Sequence, residues 1–368
     1  MLDRALTAAP RAERRPVVST RHGVTLTDDY AWLRADNWRE LMRDPSVLDP
    51  SIRAYLDAEN AYAKAALAHT EPLQETLFAE MKGRIKEDDS TVPSPDGPHA
   101  YFVRYREGGQ HPIACRAPRD GGPEQVLLDG DALAAGKAFF QLGGMQHSPD
   151  HRLIAWSADD NGSEYDTLRV RDPATGADLP DVIADIEGSV VWTTDSSAFY
   201  YVRLDANHRP SRVYRHRLGT PAADDTLIYE EADSRFFVAL GRTQSGRFAD
   251  ISVHDHATSE SRLIDLTAPD ATPRLVAARE TSVLYDVEHH PNWPGEMLIV
   301  RTNADGAEDF KIAVTPLDKP ERANWRDLVP HRRGTYLLSV TVLADWLIRL
   351  EREDSLPCLL YTSDAADE

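Results

Sequence analysis

Cysteine is nearly absent from this 368-residue sequence: Cys115 and Cys358 are too few and too far apart for a disulfide framework or a CxxC metal or redox site. They read as buried or incidental thiols of a reducing compartment. Positive charge is also scarce, with 41 Lys and Arg against 61 Asp and Glu, a net −20 at pH 7. That excess repels phosphate backbones and anionic headgroups, so nucleic acid and membrane surfaces are poor partners. No apolar run approaches the roughly 18 residues of a membrane span. The start, Met1-Leu2-Asp3-Arg4-Ala5, has an early acid and no apolar stretch of a secretory signal, which leaves the cytoplasm as the expected location.

The motifs of common catalytic centres are missing as well. There is no Gly-x-Ser-x-Gly elbow, no Walker loop, no dinucleotide fingerprint and no HExxH helix. Gly162-Ser163 and Gly188-Ser189 lack the second glycine and read as turns. His254-Asp255-His256 reads as an ordinary surface strand without a third ligand. The acidic stretch 303–309 lacks the spacing of a calcium loop and reads, like His289-His290, as a turn between strands. Trp156, Trp192 and Trp346 read as core aromatics. No catalytic, cofactor-binding or metal-binding residue is assigned.

What the chain does contain is a repeat. Six segments place an aromatic or β-branched strand after a polar turn or break: 99–105, 152–159, 198–204, 247–255, 297–303 and 346–353. Their starts are 53, 46, 49, 50 and 49 residues apart. The preceding turns include Ser94-Pro95-Asp96-Gly97, Ser148-Pro149-Asp150, Thr194-Asp195-Ser196-Ser197 and Gln244-Ser245-Gly246, residue types that close tight antiparallel connections. A second strand follows within the unit at 165–171, 211–218, 259–265 and 310–315. A strand-and-turn unit of this length fits one four-stranded blade of a β-propeller, with a solenoid as the alternative.

The first eighty or so residues differ. Ile52, Tyr55, Leu56, Tyr62, Ala66 and Leu67 recur at helical spacing behind Ser51 as a cap, and Leu73, Leu77, Phe78 and Met81 mark a second helix after the Thr70-Glu71-Pro72 break. Two such helices cannot cover each other's apolar stripes alone, so docking onto another domain is expected. The expected organisation is a helical arm over 1–84, an incomplete β-propeller over 85–357, its sixth unit cut off after its second strand begins, and an out-of-pattern tail over 358–368 that suggests a truncated reading frame.

Particular strings then carry a resemblance. Asp28-Asp29-Tyr30-Ala31-Trp32-Leu33-Arg34, with Tyr55-Leu56, Glu59-Asn60 and Tyr62, resemble the N-terminal arm of the prolyl oligopeptidase family. Leu142-Gly143-Gly144-Met145, Phe199-Tyr200-Tyr201-Val202-Arg203, Arg215-His216, Leu218-Gly219-Thr220-Pro221, Leu227-Ile228-Tyr229-Glu230-Glu231 and the stretch 351–357 are similar to the oligopeptidase B branch. The resemblance implies a mainly β chain: a seven-bladed propeller, here about six blades, that caps an α/β-hydrolase domain carrying a Ser-Asp-His triad. It implies a cytosolic serine peptidase cleaving short peptides after Lys or Arg, with the arm packed on the hydrolase domain and the propeller gating access. That hydrolase domain is absent from this sequence, so no triad residue is carried over and the chain alone is expected to be inactive. A free-standing propeller acting as a binding scaffold is the competing reading.

Overall fold

The computed structural model describes residues 8–362 apart from Pro269, Pro291 and Pro294. The chain divides into two compact units, one running to Gly136 and including Asn161–Ser163, the other made of Lys137–Asp160 and the chain from Glu164 on. The change of texture near residue 85 is therefore a switch from helix to strand, and the first blade groups with the arm.

In the first unit, β1 (Val17–Arg21) and β2 (Val24–Asp28) form a hairpin that the helical reading of the arm missed. Its two-residue turn, His22-Gly23, has φ of 53° and 79°, the doubly left-handed geometry that matches strand twist. Helix α1 (Trp38–Arg43) is followed by α2 (Pro50–Leu67). The cap of α2 is Asp49 rather than Ser51: its carboxylate accepts from the Ser51 and Ile52 amides, and Pro50 supplies the preset φ of the first turn. The Thr70-Glu71-Pro72 break is likewise the first turn of α3 (Glu71–Lys82). Trp32 ties the preceding segment together, its indole donating to Glu13 O (2.9 Å), the Arg15 guanidinium over its face and Tyr55 of α2 at its edge. Blade 1 is an antiparallel meander of β3 (Ser94–Asp96), β4 (His99–Arg104), β5 (Ile113–Pro118) and β6 (Gln125–Asp129), followed by the short α4 (Gly130–Ala134). Ser94–Asp96, expected as a turn, is its first strand, and the chain reverses at Gly97 instead.

The second unit repeats the meander. Blade 2 holds β7 (Gln141–His147), β8 (Ile154–Asp159), β9 (Asp166–Asp172) and the first part of β10 (Ala177–Trp192). The second part of β10 opens blade 3, which continues with β11 (Ala198–Leu204), β12 (Pro210–Arg217) and β13 (Thr226–Glu230), so the two blades form one seven-stranded sheet. Ile186 is the crossing point, paired with Asp166 on one side and Arg203 on the other. Blade 4 is β14 (Phe237–Arg242), β15 (Phe248–His254), β16 (Ser259–Asp265) and β17 (Arg274–Ala277). Blade 5 is β18 (Tyr285–His290), β19 (Met297–Thr302), β20 (Lys311–Pro316) and β21 (Arg326–Val329). Blade 6 has β22 (Thr335–Val342), β23 (Leu347–Glu353) and β24 (Leu356–Thr362). It therefore reaches a third strand, beyond the second-strand limit read from the sequence. The apolar run at 358–362 is part of β24, whose leucines pair with β23, so the out-of-pattern reading does not hold there. The rest of that tail, 363–368, lies outside the described residues.

Each of the six repeated segments is the second strand of its blade. Burial is deepest in the middle of the series: β8 is buried throughout, and Phe199, Tyr200, Tyr201 and Val202 of β11 have no exposure, whereas β4 is half-buried along its length and β23 ends exposed at Arg352 and Glu353. Packing runs from sheet to sheet, with Val191, Tyr200 and Val202 of blade 3 against Val238, Ile251 and Ile264 of blade 4. The hairpin closing the first two strands is also repeated. Ser148, Thr193 and Thr243 each accept, through the side-chain oxygen, from the amide five residues on (3.0, 3.1 and 3.2 Å). The fourth residue of each turn has positive φ: His151 61°, Ser196 60° and Gly246 73°. A hydroxyl at the start thus satisfies the amide that the reversal would leave open.

Candidate functional site

The first strands of the blades carry the polar side chains that a propeller can present inward. Strands β7, β10 and β14 come together around a cavity of about 470 Å³ whose lining includes Gly143, Gly188, Glu187, Trp192, Leu240 and Arg242. Behind it Ser157 Oγ donates to Asp166 Oδ2 (2.5 Å) and accepts from the Gly144 amide (2.9 Å). Burial raises the Asp166 carboxyl above the usual range, with Asp159 and Glu187 pushing the same way.

Further round, the alternation Asp286-Val287-Glu288 on β18 turns both acids to one face and buries the valine between them. Asp286 has half its side chain wetted (52% exposed) yet sits deep enough among the strands that desolvation raises it, outweighing Arg301 at 3.0 Å. Glu288 accepts from the Gln244 amide (2.8 Å) and is raised by burial. Asp250 on β15, opposite Gly241, bonds the Ser261 hydroxyl, and burial pushes it up to about 7. The first strand of blade 5 thus holds two carboxylates kept from full hydration, and Asp166 on β9 and Asp250 on β15 are further buried acids behind the inner strands. Such a surface can receive cationic groups, which would return the solvation the carboxylates have lost.

None of these acids was singled out in the sequence, although the period-two acids of β18 are a readable signal. The residues that were singled out lie apart from them. Gly162-Ser163 is in the β8–β9 connection, where the Ser163 amide donates to Asn161 Oδ1 (3.1 Å). Gly188-Ser189 is not a turn: it lies within β10, Gly188 at φ 117° in an irregular stretch of pairing. His254 ends β15, whereas His256 stands in the following turn, so the two do not share a strand face. Asp255 between them accepts from the Ala257 and Thr258 amides as a turn cap. Asp305, in the 303–309 turn, is taken up by Lys311 and Arg322. His289 and His290 are not in a turn but end β18, buried, with pKa values lowered by desolvation. His289 Nδ1 meets Ser245 Oγ (2.9 Å), and the His290 ring stacks on Trp293. Trp156 and Trp192 are core residues, but Trp346 is 40% exposed in the β22–β23 hairpin, its ring against Tyr361. Among the described residues no three His, Cys, Asp or Glu side chains gather as a metal site.

Four-stranded antiparallel meanders that repeat along the chain and pack sheet against sheet define a β-propeller module. The family model for the prolyl oligopeptidase N-terminal β-propeller domain matches residues 10–367, and the chain belongs to that family. Among curated relatives, dipeptidyl aminopeptidase BI of Pseudoxanthomonas mexicana is 36% identical across 95% of this chain and 49% of its own length. Protease 2 of Moraxella lacunata is 30% identical across 96% of this chain and 50% of its own. Among solved structures, oligopeptidase B from Leishmania major superposes with a TM-score of 0.88 at 27% identity, covering 98% of this chain and 52% of that one. Oligopeptidase B from Trypanosoma brucei with covalently bound antipain gives 0.88 at 29%, covering 98% and 51%. The chain thus spans about half the length of the relatives it matches.

Proposed function

We propose that this chain is the noncatalytic half of a cytoplasmic oligopeptidase B-like serine peptidase that cleaves short peptides after Lys or Arg. The observation that carries the reading is the pair of coverages: nearly all of this chain matches about half of peptidases from several organisms. In that reading the absent partner is an α/β-hydrolase domain with the Ser-Asp-His triad, and the propeller excludes folded proteins from it. Serine attack needs a base and preorganised oxyanion donors in a water-poor site, each donor contributing about 3 to 4 kcal/mol, and a covering propeller supplies the closure.

Two features of the molecule support it. Leu73, Leu77, Phe78 and Met81 of α3 and Val17, Val18, Val24 and Leu26 of the hairpin are all exposed, an apolar area fit for a second domain. The carboxylates of β10 and β18 suit basic peptides. The test is to assay the protein encoded by the whole locus on arginyl, lysyl and prolyl peptides and on dipeptidyl substrates. Cleavage after Arg and Lys, abolished by a serine-directed inhibitor, is expected. Release of N-terminal dipeptides alone would replace the specificity, and absence of any hydrolysis would favour a binding scaffold.

A further inference from the structure

We propose that blades 2 and 3 are a single rigid body, joined along their first strands and by a buried clip further out, that opens as one cooperative unit. At the inner edge β7 and β10 touch backbone to backbone: a Cβ on Gly144 would lie 2.1 Å from Gly188 O, so only glycine permits the approach. Further along the same two strands, the Trp192 indole on blade 3 donates to Gln146 O on blade 2 (3.0 Å), and in the hairpins that follow them the Asp150 amide donates to Ser196 Oγ (3.2 Å). Outermost is a buried clip. His216 on β12 presents Nε2 to Asp181 of the blade 2 part of β10 (2.9 Å) and Nδ1 to Asp225, just before β13 (2.7 Å). The Gly219 amide also donates to Asp181 (2.6 Å), and the Tyr201 hydroxyl donates to Asp225 (2.7 Å).

The shared strand adds to the seam, because β10 belongs to both blades of the seven-stranded sheet and runs between them without a loop. The later blades share no strand with a neighbour: blade 4 and blade 5 are separate four-stranded sheets, and β22, β23 and β24 form a three-stranded sheet among the described residues.

Hydrogen exchange read by mass spectrometry on the intact protein tests this. Strands β7 to β13 are expected to lose protection together, at least about tenfold more slowly than β22 and β23, as one cooperative unit. His216→Ala strands two buried carboxylates and is expected to raise exchange in 177–186 and 222–230 alike. The milder Tyr201→Phe, which removes one hydroxyl from the clip, is expected to do the same to a lesser degree, and carries the test if His216→Ala does not fold. Blade 2 opening while blade 3 stays protected, or either variant loosening only the blade 3 segment, would overturn the proposal.

Discussion

Asp250 shows how a single side chain couples this fold to pH. Its carboxyl titrates near 7 in the folded chain, against about 4 when unfolded. The folded state therefore holds the proton more tightly, and ionising Asp250 opposes folding. Stability from this group is complete below about pH 4, declines as pH rises, and is lost above about 7. Asp250→Asn keeps the shape and removes the charge. Thermal melts are expected to show a Tm gain of roughly 2–4 °C at pH 8 and little or none at pH 5. An equal gain at both pH values would mean that the charge is not what matters. Glu231 and Glu260 are the counterexample, held below the usual range despite burial because Arg279 reaches both (2.5 and 3.4 Å).

Among the elements, the second strands could be read from the sequence and the first strands could not. AFYYVRL and MLIVRT are apolar on both faces because a sheet covers each side. By contrast β7, QLGGMQH, contains the two glycines that let it approach β10, and β10 contains Pro180 and Gly188, residues that locally announce a turn. Close packing between blades overrides those local preferences, and no pattern within one strand reports it. Glu187, Asp286 and Glu288 were missed for the same reason, since they sit on first strands that were not recognised, whereas Asp166 and Asp250 lie on strands that were read, where no local pattern separates a buried acid from an exposed one. Strand β24 is different again. Among the described residues it pairs only with β23, and Leu356, Leu359 and Tyr361 are exposed along it. An uncovered apolar edge invites pairing between molecules. The 368-residue polypeptide on its own is expected to self-associate by light scattering, and Leu359→Lys to reduce that association by at least about half. A wild-type chain that stays monomeric at high concentration would contradict this.

Across the whole molecule the net charge of −20 and the inward-facing acids act in the same direction. Long-range attraction of a cationic peptide is screened over about 8 Å at physiological salt. Under the function proposed above, kcat/KM of the protein encoded by the whole locus on a dibasic peptide is expected to fall several-fold between low and high ionic strength, mainly through KM, while a neutral peptide changes little. A flat salt profile would remove steering from the account. The composition made this charge legible from the outset. What it did not reveal was where the acids collect, which depends on the strand order of each blade.

The unbroken run of β10 has a consequence for how such chains can vary. Elsewhere, blades are joined by connecting segments that can lengthen without disturbing a sheet, whereas a residue inserted near Ile186 would shift the pairing of Asp166 and Arg203 at once. Length changes should therefore be tolerated at every other junction and selected against at this one.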